Sequence, residues 1–179
     1  MTGPVSGAGG PGDLDARVER LERRLDVVES VLALHDLKAR YGDLVDARFF
    51  RGAVVASDRL AELAGRAAAL FTEDGVWDGG PGLGVAHGRE EIAARLASPT
   101  LVFSRHLFVR PRIHVAGEEA TGRWELLSPC TRPDGTSLWM SGVEDDVYAR
   151  VDGVWLHRSM TLTTMFVSPA GTGWPRILA

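Results

Sequence analysis

Four long β-forming segments in the second half of the chain restrict its possible folds more than any other feature. Short turns separate the segments, each containing a glycine in a pattern typical of hairpins. Segments of ten or more residues exceed the usual strand length of about five or six, so their sheet must twist and curl. The sequence therefore predicts a curved antiparallel meander over residues 105–115, 120–131, 137–150 and 154–167.

The first half of the chain has helical periodicity. Apolar residues recur at alternating spacings of three and four from Val18 to Leu32, and after a slight break the pattern continues to Val45. A second helix is expected over 57–70, a turn over 71–75, a short strand over 76–78, a glycine-rich hairpin over 79–82 and a third helix over 88–97. Helices followed by a meander predict an α+β fold, with the helices packed into the concave face of the sheet around an apolar pocket.

One domain suits a chain of 179 residues. Composition divides it into a disordered Gly/Pro-rich tail at 1–12, an amphipathic helical extension at 13–31, the main domain at 32–167 and an irregular tail at 168–179. The stripe of the extension consists of Val18, Leu21, Leu25, Val28 and Leu32. It either packs on the body of its own domain or pairs with another subunit.

Composition and charge exclude several functional classes. A net charge of −4 without a basic stripe disfavours nucleic-acid binding. Cys130 is the only cysteine, so an intrachain disulfide is impossible and a cysteine-based metal site is not expected. No apolar run approaches the roughly 20 residues of a membrane span, and no signal architecture begins the chain. We expect a cytoplasmic protein with a small-molecule partner.

The polar residues expected at the pocket are few. Tyr41 and Asp46 lie five positions apart in the first core helix, about 140° apart around its axis, and His106 begins the long sheet. A carboxylate in the apolar setting of Asp46 needs a partner, and a His–Asp pair makes a general base. From the residues alone, a structural hydrogen bond or mere surface placement of these two side chains is favoured over catalysis. The acidic run at 144–146 is expected to be solvated, and no motif indicates a metal site.

Several stretches resemble one known family. They are Leu37-Lys-Ala-Arg-Tyr-Gly-Asp-Leu-Val-Asp46, Ala69-Leu-Phe-Thr-Glu-Asp-Gly-Val-Trp77, His87-Gly-Arg-Glu-Glu-Ile92, Ser104-Arg-His106 and Asp146-Val-Tyr-Ala-Arg-Val-Asp-Gly-Val-Trp155. In this order they look like the SnoaL-like branch of the NTF2-like superfamily, which has a cone-shaped α+β fold. Within it, the chain is similar to the hexachlorocyclohexane dehydrochlorinase, scytalone dehydratase and bile-acid 7α-dehydratase group.

The resemblance implies a lyase that uses no metal or organic cofactor. His106 would abstract a proton, Asp46 would orient the imidazole, and Tyr41 would assist the leaving hydroxyl or hold a carbonyl oxygen. It also implies a homodimer or homotrimer. We assign contacts with a small apolar cyclic or polyketide-like substrate to Trp77, Phe49, Phe50, Met160 and Phe108.

The chain departs from these relatives in two respects that bear on substrate. No carboxylate occurs around Ser128-Pro129-Cys130, where the bile-acid enzymes carry a further aspartate, and the second histidine of scytalone dehydratase has no clear counterpart. The family also contains isomerases, cyclases and noncatalytic members, so fold alone does not decide function. A noncatalytic binding or assembly module would keep Asp46 and His106 apart or sealed, whereas the lyase requires them bonded beside an open pocket.

Overall fold

The structure, a computed structural model, describes residues 11–172. The disorder predicted for the N-terminal tail therefore falls largely outside the described residues, as does the irregular tail from residue 173 onward. Two boundaries differ from expectation. The first helix already begins at Pro11, and the last strand continues to Pro169 before a short 3-10 turn at Ala170–Thr172.

Helix α1 (Pro11–Asp46) is continuous over 36 residues, so the predicted break is wrong. The break in the sequence pattern reflects a change of face. The apolar residues up to Leu32 point away from the body, and those from Leu34 onward point into the core. Both stripes lie on one helix about 54 Å long, at 1.5 Å per residue.

Helices α2 (Ser57–Ala68) and α3 (Gly88–Leu96) confirm the two shorter helices. Each buries one face, through Leu60, Leu63 and Ala67 in α2 and through Ile92 and Leu96 in α3. Between α1 and α2, strands β1 (Phe49–Phe50) and β2 (Ala53–Val54) form a minimal hairpin.

The main sheet is mostly antiparallel. Its strands are β3 (Phe71–Asp78), β4 (Val85–His87), β5 (Phe103–Ser104), β6 (Leu107–Ala116), β7 (Glu119–Thr131), β8 (Ser137–Val151) and β9 (Val154–Pro169). They follow the order β4-β3-β9-β8-β7-β5, with β6 also paired to β7. Strand β3 pairs with β9 in parallel, which is the one parallel contact among the described strands.

The meander of four long strands is confirmed, but the turn predicted over 71–75 is wrong. That segment forms the first part of β3, where Phe71 pairs with His157 of the last strand. Local sequence concealed the strand because Glu73, Asp74 and Gly75 are typical turn formers. Pairing with β9, more than 80 positions away, overrides that local preference.

Two bulges in β9 determine which side chains face the interior. Consecutive pairs Tyr148–His157 and Val147–Ser159 leave Arg158 as an extra residue. Consecutive pairs Gly142–Thr164 and Ser141–Phe166 leave Met165 as a second one. Each extra residue shifts the inward positions by one and increases the local twist.

The concave face of the sheet packs against the helices. The core combines residues of α1, α2 and α3 with sheet residues, and the most deeply buried include Leu34, Ala67, Phe71, Ile92 and Tyr148. No helix among residues 11–172 is long and apolar enough to cross a membrane. The fold is thus the predicted α+β cone, in which the end of α1 overhangs an internal cavity.

Candidate active site

Asp46 and His106 meet at the end of the overhanging helix. Asp46 is the last residue of α1, and His106 precedes β6 directly. The Nδ1 atom of His106 lies 2.6 Å from Oδ1 of Asp46. The backbone N–H of His106 also donates to both carboxylate oxygens, at 3.1 Å each. The carboxylate therefore fixes both the backbone and the ring of the histidine.

These bonds determine which ring nitrogen is available. An ionised carboxylate accepts hydrogen bonds only, so neutral His106 must carry its proton on Nδ1 and leave Nε2 unprotonated. No described residue forms a hydrogen bond with Nε2, and the imidazole lines the cavity. The pair can therefore present a base to a molecule bound there.

The cavity is bounded by helices α1 and α3 and by the concave sheet. It encloses about 330 Å³. Of the predicted site residues, His106, Tyr41, Trp77, Phe49 and Met160 line it. The structure thus brings the base, one hydroxyl and three large apolar side chains around one space of the size that suits a small ligand.

Two predicted substrate contacts do not reach the cavity. Phe50 is 66% exposed, because successive side chains of β1 alternate in direction and Phe49 takes the inward position. The ring of Phe108 stacks on His106, with 5.8 Å between the ring centroids. Phe108 is absent from the lining of this cavity and instead lines, together with Asp46 and His106, a neighbouring pocket between α1 and β6.

Tyr41 is a protonated hydrogen-bond donor at the cavity. Its hydroxyl accepts a hydrogen bond from Nε1 of Trp77 at 2.9 Å. Burial is the main cause that raises the pKa of Tyr41 well above its usual range, and the charge of Glu144 raises it further. Because Trp77 donates to the oxygen of Tyr41, the hydroxyl proton of Tyr41 takes no part in that bond, and no described residue accepts it. The phenol can therefore donate to an oxygen or halogen of a bound molecule.

Sequence reasoning missed the charged residues that line the cavity, and among these Arg48 and Glu144 are buried. The guanidinium of Arg48 donates to the carbonyl oxygens of Val45 and Leu96, each at 2.8 Å. Burial lowers its pKa from the ordinary arginine value. The inward stripe of α1 gave a signal for Arg48, because it lies three residues beyond Val45.

Glu144 belongs to a buried charged network behind the cavity. Nζ of Lys38 donates to Oε2 of Glu144 at 2.5 Å and to Oδ2 of Asp146 at 2.7 Å. Burial alone would lower the pKa of Lys38, but the two carboxylates outweigh it and raise that pKa. Tyr148 also donates to Asp146, and Trp124 donates to the Tyr148 hydroxyl.

The expectation that residues 144–146 are solvated is therefore wrong for two of the three. Glu144 and Asp146 are buried, and only Asp145 points outward, where it pairs with Arg123. Alternation along β8 was the available signal, since both buried carboxylates share the inward parity of Leu138. Their partner, Lys38, lies more than 100 positions earlier in the sequence.

His157 is fully buried beside this network. Its ring lies 5.0 Å from the rings of Phe71 and Tyr148, and Nδ1 is 3.9 Å from Oδ2 of Asp146. Neither ring nitrogen has a hydrogen-bond partner. Burial lowers the pKa of His157 to about 3, so the ring is neutral at neutral pH.

Cys130, His35 and His114 do not join the dyad. Cys130 is a buried strand thiol at the cavity wall, and burial raises its pKa. His35 is exposed and contacts the ring of Trp124, and His114 is exposed on β6. Within residues 11–172, no group of three His, Cys, Asp or Glu side chains is arranged to hold a metal ion.

Comparison with known proteins agrees with this architecture. The sequence model of the SnoaL-like domain matches residues 26–161. The chain belongs to the SnoaL-like family. The match contains the inward part of α1, the whole of α2 and α3, and most of the sheet. It leaves residues 11–25 of α1 outside. No curated protein matches the full sequence at a significant level.

Solved structures of similar fold include two dehydrochlorinases. Hexachlorocyclohexane dehydrochlorinase (LinA) type 2 shares 22% identity and a TM-score of 0.67, covering 87% of this chain and 99% of that one. LinA-type3 from Novosphingobium barchaimii LL02 shares 21% identity and a TM-score of 0.68, covering 86% and 99%. A scytalone dehydratase candidate from Novosphingobium aromaticivorans DSM 12444 shares 22% identity and a TM-score of 0.65, covering 80% and 89%. At these identities the SnoaL-like domain shares their fold.

Proposed function

We propose that this SnoaL-like protein is a cofactor-independent lyase that removes water or HX from a small, largely apolar cyclic or polyketide-like substrate. The observation that carries the proposal is the 2.6 Å contact between His106 Nδ1 and Asp46 Oδ1 at the cavity wall. A noncatalytic module has no need of a histidine that a carboxylate holds at the wall of an internal space. The fold neighbours that are named as a dehydrochlorinase and as a dehydratase candidate support the same reaction class.

The reaction begins with proton transfer to His106. Nε2 takes the proton from an acidic C–H bond of the substrate, and the electron pair of that bond forms the new C=C bond. The leaving group departs from the neighbouring carbon with its own bonding pair. Asp46 stabilises the imidazolium that results, because its carboxylate already accepts the Nδ1 proton.

Tyr41 acts on the leaving group in this scheme. Its O–H donates to the departing hydroxyl or halide and so offsets the negative charge that develops there. Trp77 holds the phenol oxygen in place through its indole N–H. When the leaving group is hydroxide, His106 gives its proton to that hydroxide and water forms. When the leaving group is a halide, His106 gives its proton to the solvent, and the proton and the halide ion together account for HX.

The cavity favours an apolar substrate of limited size. Trp77, Phe49 and Met160 supply aromatic and thioether surface, and the enclosed volume of about 330 Å³ suits a small ring system. General-base catalysis contributes roughly 10²–10⁴-fold, so orientation of the substrate in this space must supply the remainder of the acceleration.

An isomerase of the same fold is the second candidate, and the same Tyr41 hydroxyl favours it. Proton abstraction by His106 beside a carbonyl would produce an enolate, and the Tyr41 O–H would bind its oxygen. Return of the proton to another carbon would then move the double bond without loss of a leaving group. The product mass therefore separates the two candidates.

The test measures proton abstraction and elimination together. The protein is incubated in D₂O with a panel of β-hydroxy ketones and β-halo cyclic compounds, and NMR and mass spectrometry follow C–H exchange and loss of water or HX. We expect elimination by the wild type and a loss of at least about 100-fold in His106→Gln. Exchange with rearrangement and no mass loss would assign the isomerase instead.

His114→Gln is the matched control, since it removes an exposed histidine from β6 outside the cavity. It should retain wild-type rates. A direct readout of the dyad is the ¹⁵N spectrum of His106, which should show one tautomer, protonated on Nδ1, in the wild type. Asp46→Asn should mix the tautomers. Equal rates in His106→Gln and the wild type would refute the proposed base.

A further inference from the structure

The N-terminal part of α1 exposes a continuous apolar stripe. Its members lie on the side of the helix opposite Ser30, which is buried against the body. The exposed fractions range from 44% to 64%, so residues 11–172 leave this surface uncovered. The structure extends the five predicted members by Leu14, so the stripe consists of Leu14, Val18, Leu21, Leu25, Val28 and Leu32. Of the two possibilities that the sequence left open, packing of the stripe on its own domain does not occur within the described part of the chain.

The spacing of the stripe is that of a coiled coil. Successive members are separated by four, three, four, three and four positions, which is a strict heptad pattern over three repeats. Val18, Leu25 and Leu32 take the a positions, while Leu14, Leu21 and Val28 take the d positions. A stripe confined to a and d is narrower than the face that a helix normally packs on its own domain.

The residues beside the stripe carry a second pattern. All three e positions are acidic, namely Asp15, Glu22 and Glu29. The g positions are Arg17, Arg24 and Val31. Among the described residues, Arg17, Glu22, Arg24 and Glu29 are exposed and take part in no ion pair of their own chain. The ion pair that Arg23 forms with Glu19 on this helix involves neither an e nor a g position.

This charge pattern is complementary to itself in one orientation only. In a parallel coiled coil, a g residue meets the e residue five positions later on the facing helix. Arg17 then meets Glu22 of the second copy, Arg24 meets Glu29, and both pairs occur twice. An antiparallel arrangement would place g beside g and e beside e, so that arginines face arginines and carboxylates face carboxylates.

We propose that residues 14–32 of α1 form a parallel, in-register coiled coil with the same segment of a second copy of this chain. The geometry leaves room for both bodies, because each body packs on the face of its helix that is opposite the stripe, through Ser30, Leu34 and Leu37. Most of the segment lies before residue 26, where the SnoaL-like match begins, so it adds an assembly element to the family domain.

The first experiment tests register and orientation in the full-length protein. Leu14→Cys places a thiol at a d position near the start of the stripe, where two parallel helices bring equivalent residues together. Mild oxidation should convert it into a disulfide-linked dimer on a denaturing gel. Arg23→Cys, on the outer face of the same helix, is the control and should remain monomeric on that gel, as should the wild type with its buried Cys130.

The second experiment reverses charge in the Leu14→Cys background. Arg17→Glu with Arg24→Glu makes every paired e and g position acidic, and Glu22→Arg with Glu29→Arg makes them basic. Each variant alone should cross-link at least about tenfold more slowly than its parent, and an equimolar mixture should give mainly the mixed dimer. The matched control, Arg20→Glu with Arg23→Glu, makes the same change in net charge away from the interface and should cross-link like the parent.

Two results would each show that the stripe does not bind a second copy of this chain in parallel. Absence of the Leu14→Cys dimer, or cross-linking that is insensitive to all charge reversals, would overturn the parallel pairing. Circular dichroism verifies that each variant keeps its helix, and the exposure of all the substituted side chains makes this the expected result. Cross-linking reports on the helix alone, so association through the sheet would not alter the conclusion.

Discussion

Replacing His157 with phenylalanine is expected to remove one cause of the loss of stability at acidic pH. The imidazole is fully buried, and its pKa of about 3 in the folded protein compares with about 6.5 in an unfolded chain. Above pH 6.5 the ring is neutral in both states and contributes no pH dependence. Between pH 6.5 and pH 3 the unfolded chain binds a proton that the folded protein excludes, so the free energy of unfolding falls as the pH falls.

The size of the effect follows from this difference. Each pH unit below 6.5 costs the wild type about 1.4 kcal/mol, which amounts to about 2 kcal/mol at pH 5. His157→Phe removes this pH-dependent loss of stability and breaks no hydrogen bond, because neither ring nitrogen of His157 has a partner. A phenyl ring also retains contacts with Phe71 and Tyr148, which surround the imidazole.

Urea unfolding of the two proteins at pH 7.5 and pH 5 provides the assay. The variant-minus-wild-type difference in the free energy of unfolding should rise by about 2 kcal/mol between the two pH values. The comparison at pH 7.5 corrects for any change in packing, and all other titrating groups are common to both proteins. A difference that stays constant with pH would refute the assignment of a neutral buried imidazole beside Asp146 and Lys38.

Two further substitutions test the charged network and the phenol. Lys38→Met should lower the free energy of unfolding by about 3–5 kcal/mol, since it leaves Glu144 and Asp146 buried without a cation. Adding Glu144→Gln and Asp146→Asn should restore most of that loss in denaturant titrations, and no recovery would contradict the pairing. Tyr41→Phe deprives the Trp77 indole of its acceptor and should cost about 1–2 kcal/mol. Under the proposed function it should slow elimination about tenfold or more while C–H exchange continues, whereas equal slowing of both would remove Tyr41 from the leaving-group step.

Much of the fold could be predicted because local signals and tertiary structure agree. The four long strands are bounded by turns whose glycine-containing sequences suit hairpins, and the observed strands differ from the predicted ones by at most two residues at each end. The meeting of Asp46 and His106 was also predicted, from the cost of leaving a carboxylate unpaired and from the family resemblance. Their role in catalysis remains a prediction.

Other features depend on contacts that local sequence does not contain. Segment 71–75 has turn-forming residues but becomes a strand because β9 lies beside it. Lys38 is charged yet occupies the inward stripe of α1, and the carboxylates of distant β8 compensate for its burial. Phe50 failed as a cavity residue because a two-residue strand offers too short a pattern to determine which side faces inward.

Each of the two extra residues of β9 reverses which of the following positions in the strand face inward. Before Arg158 the inward positions are odd-numbered, as at Trp155 and His157, and after it they become even-numbered at Met160 and Leu162. The second shift, at Met165, restores odd numbering, and Val167 again lines the cavity. Loss of the first bulge, with every residue retained, would turn Thr161 and Thr163 inward in place of Met160 and Leu162. Loss of the second in the same way would turn Phe166 inward in place of Val167. Loss or gain of a bulge at these two points therefore offers this fold an abrupt way to change what its cavity accepts.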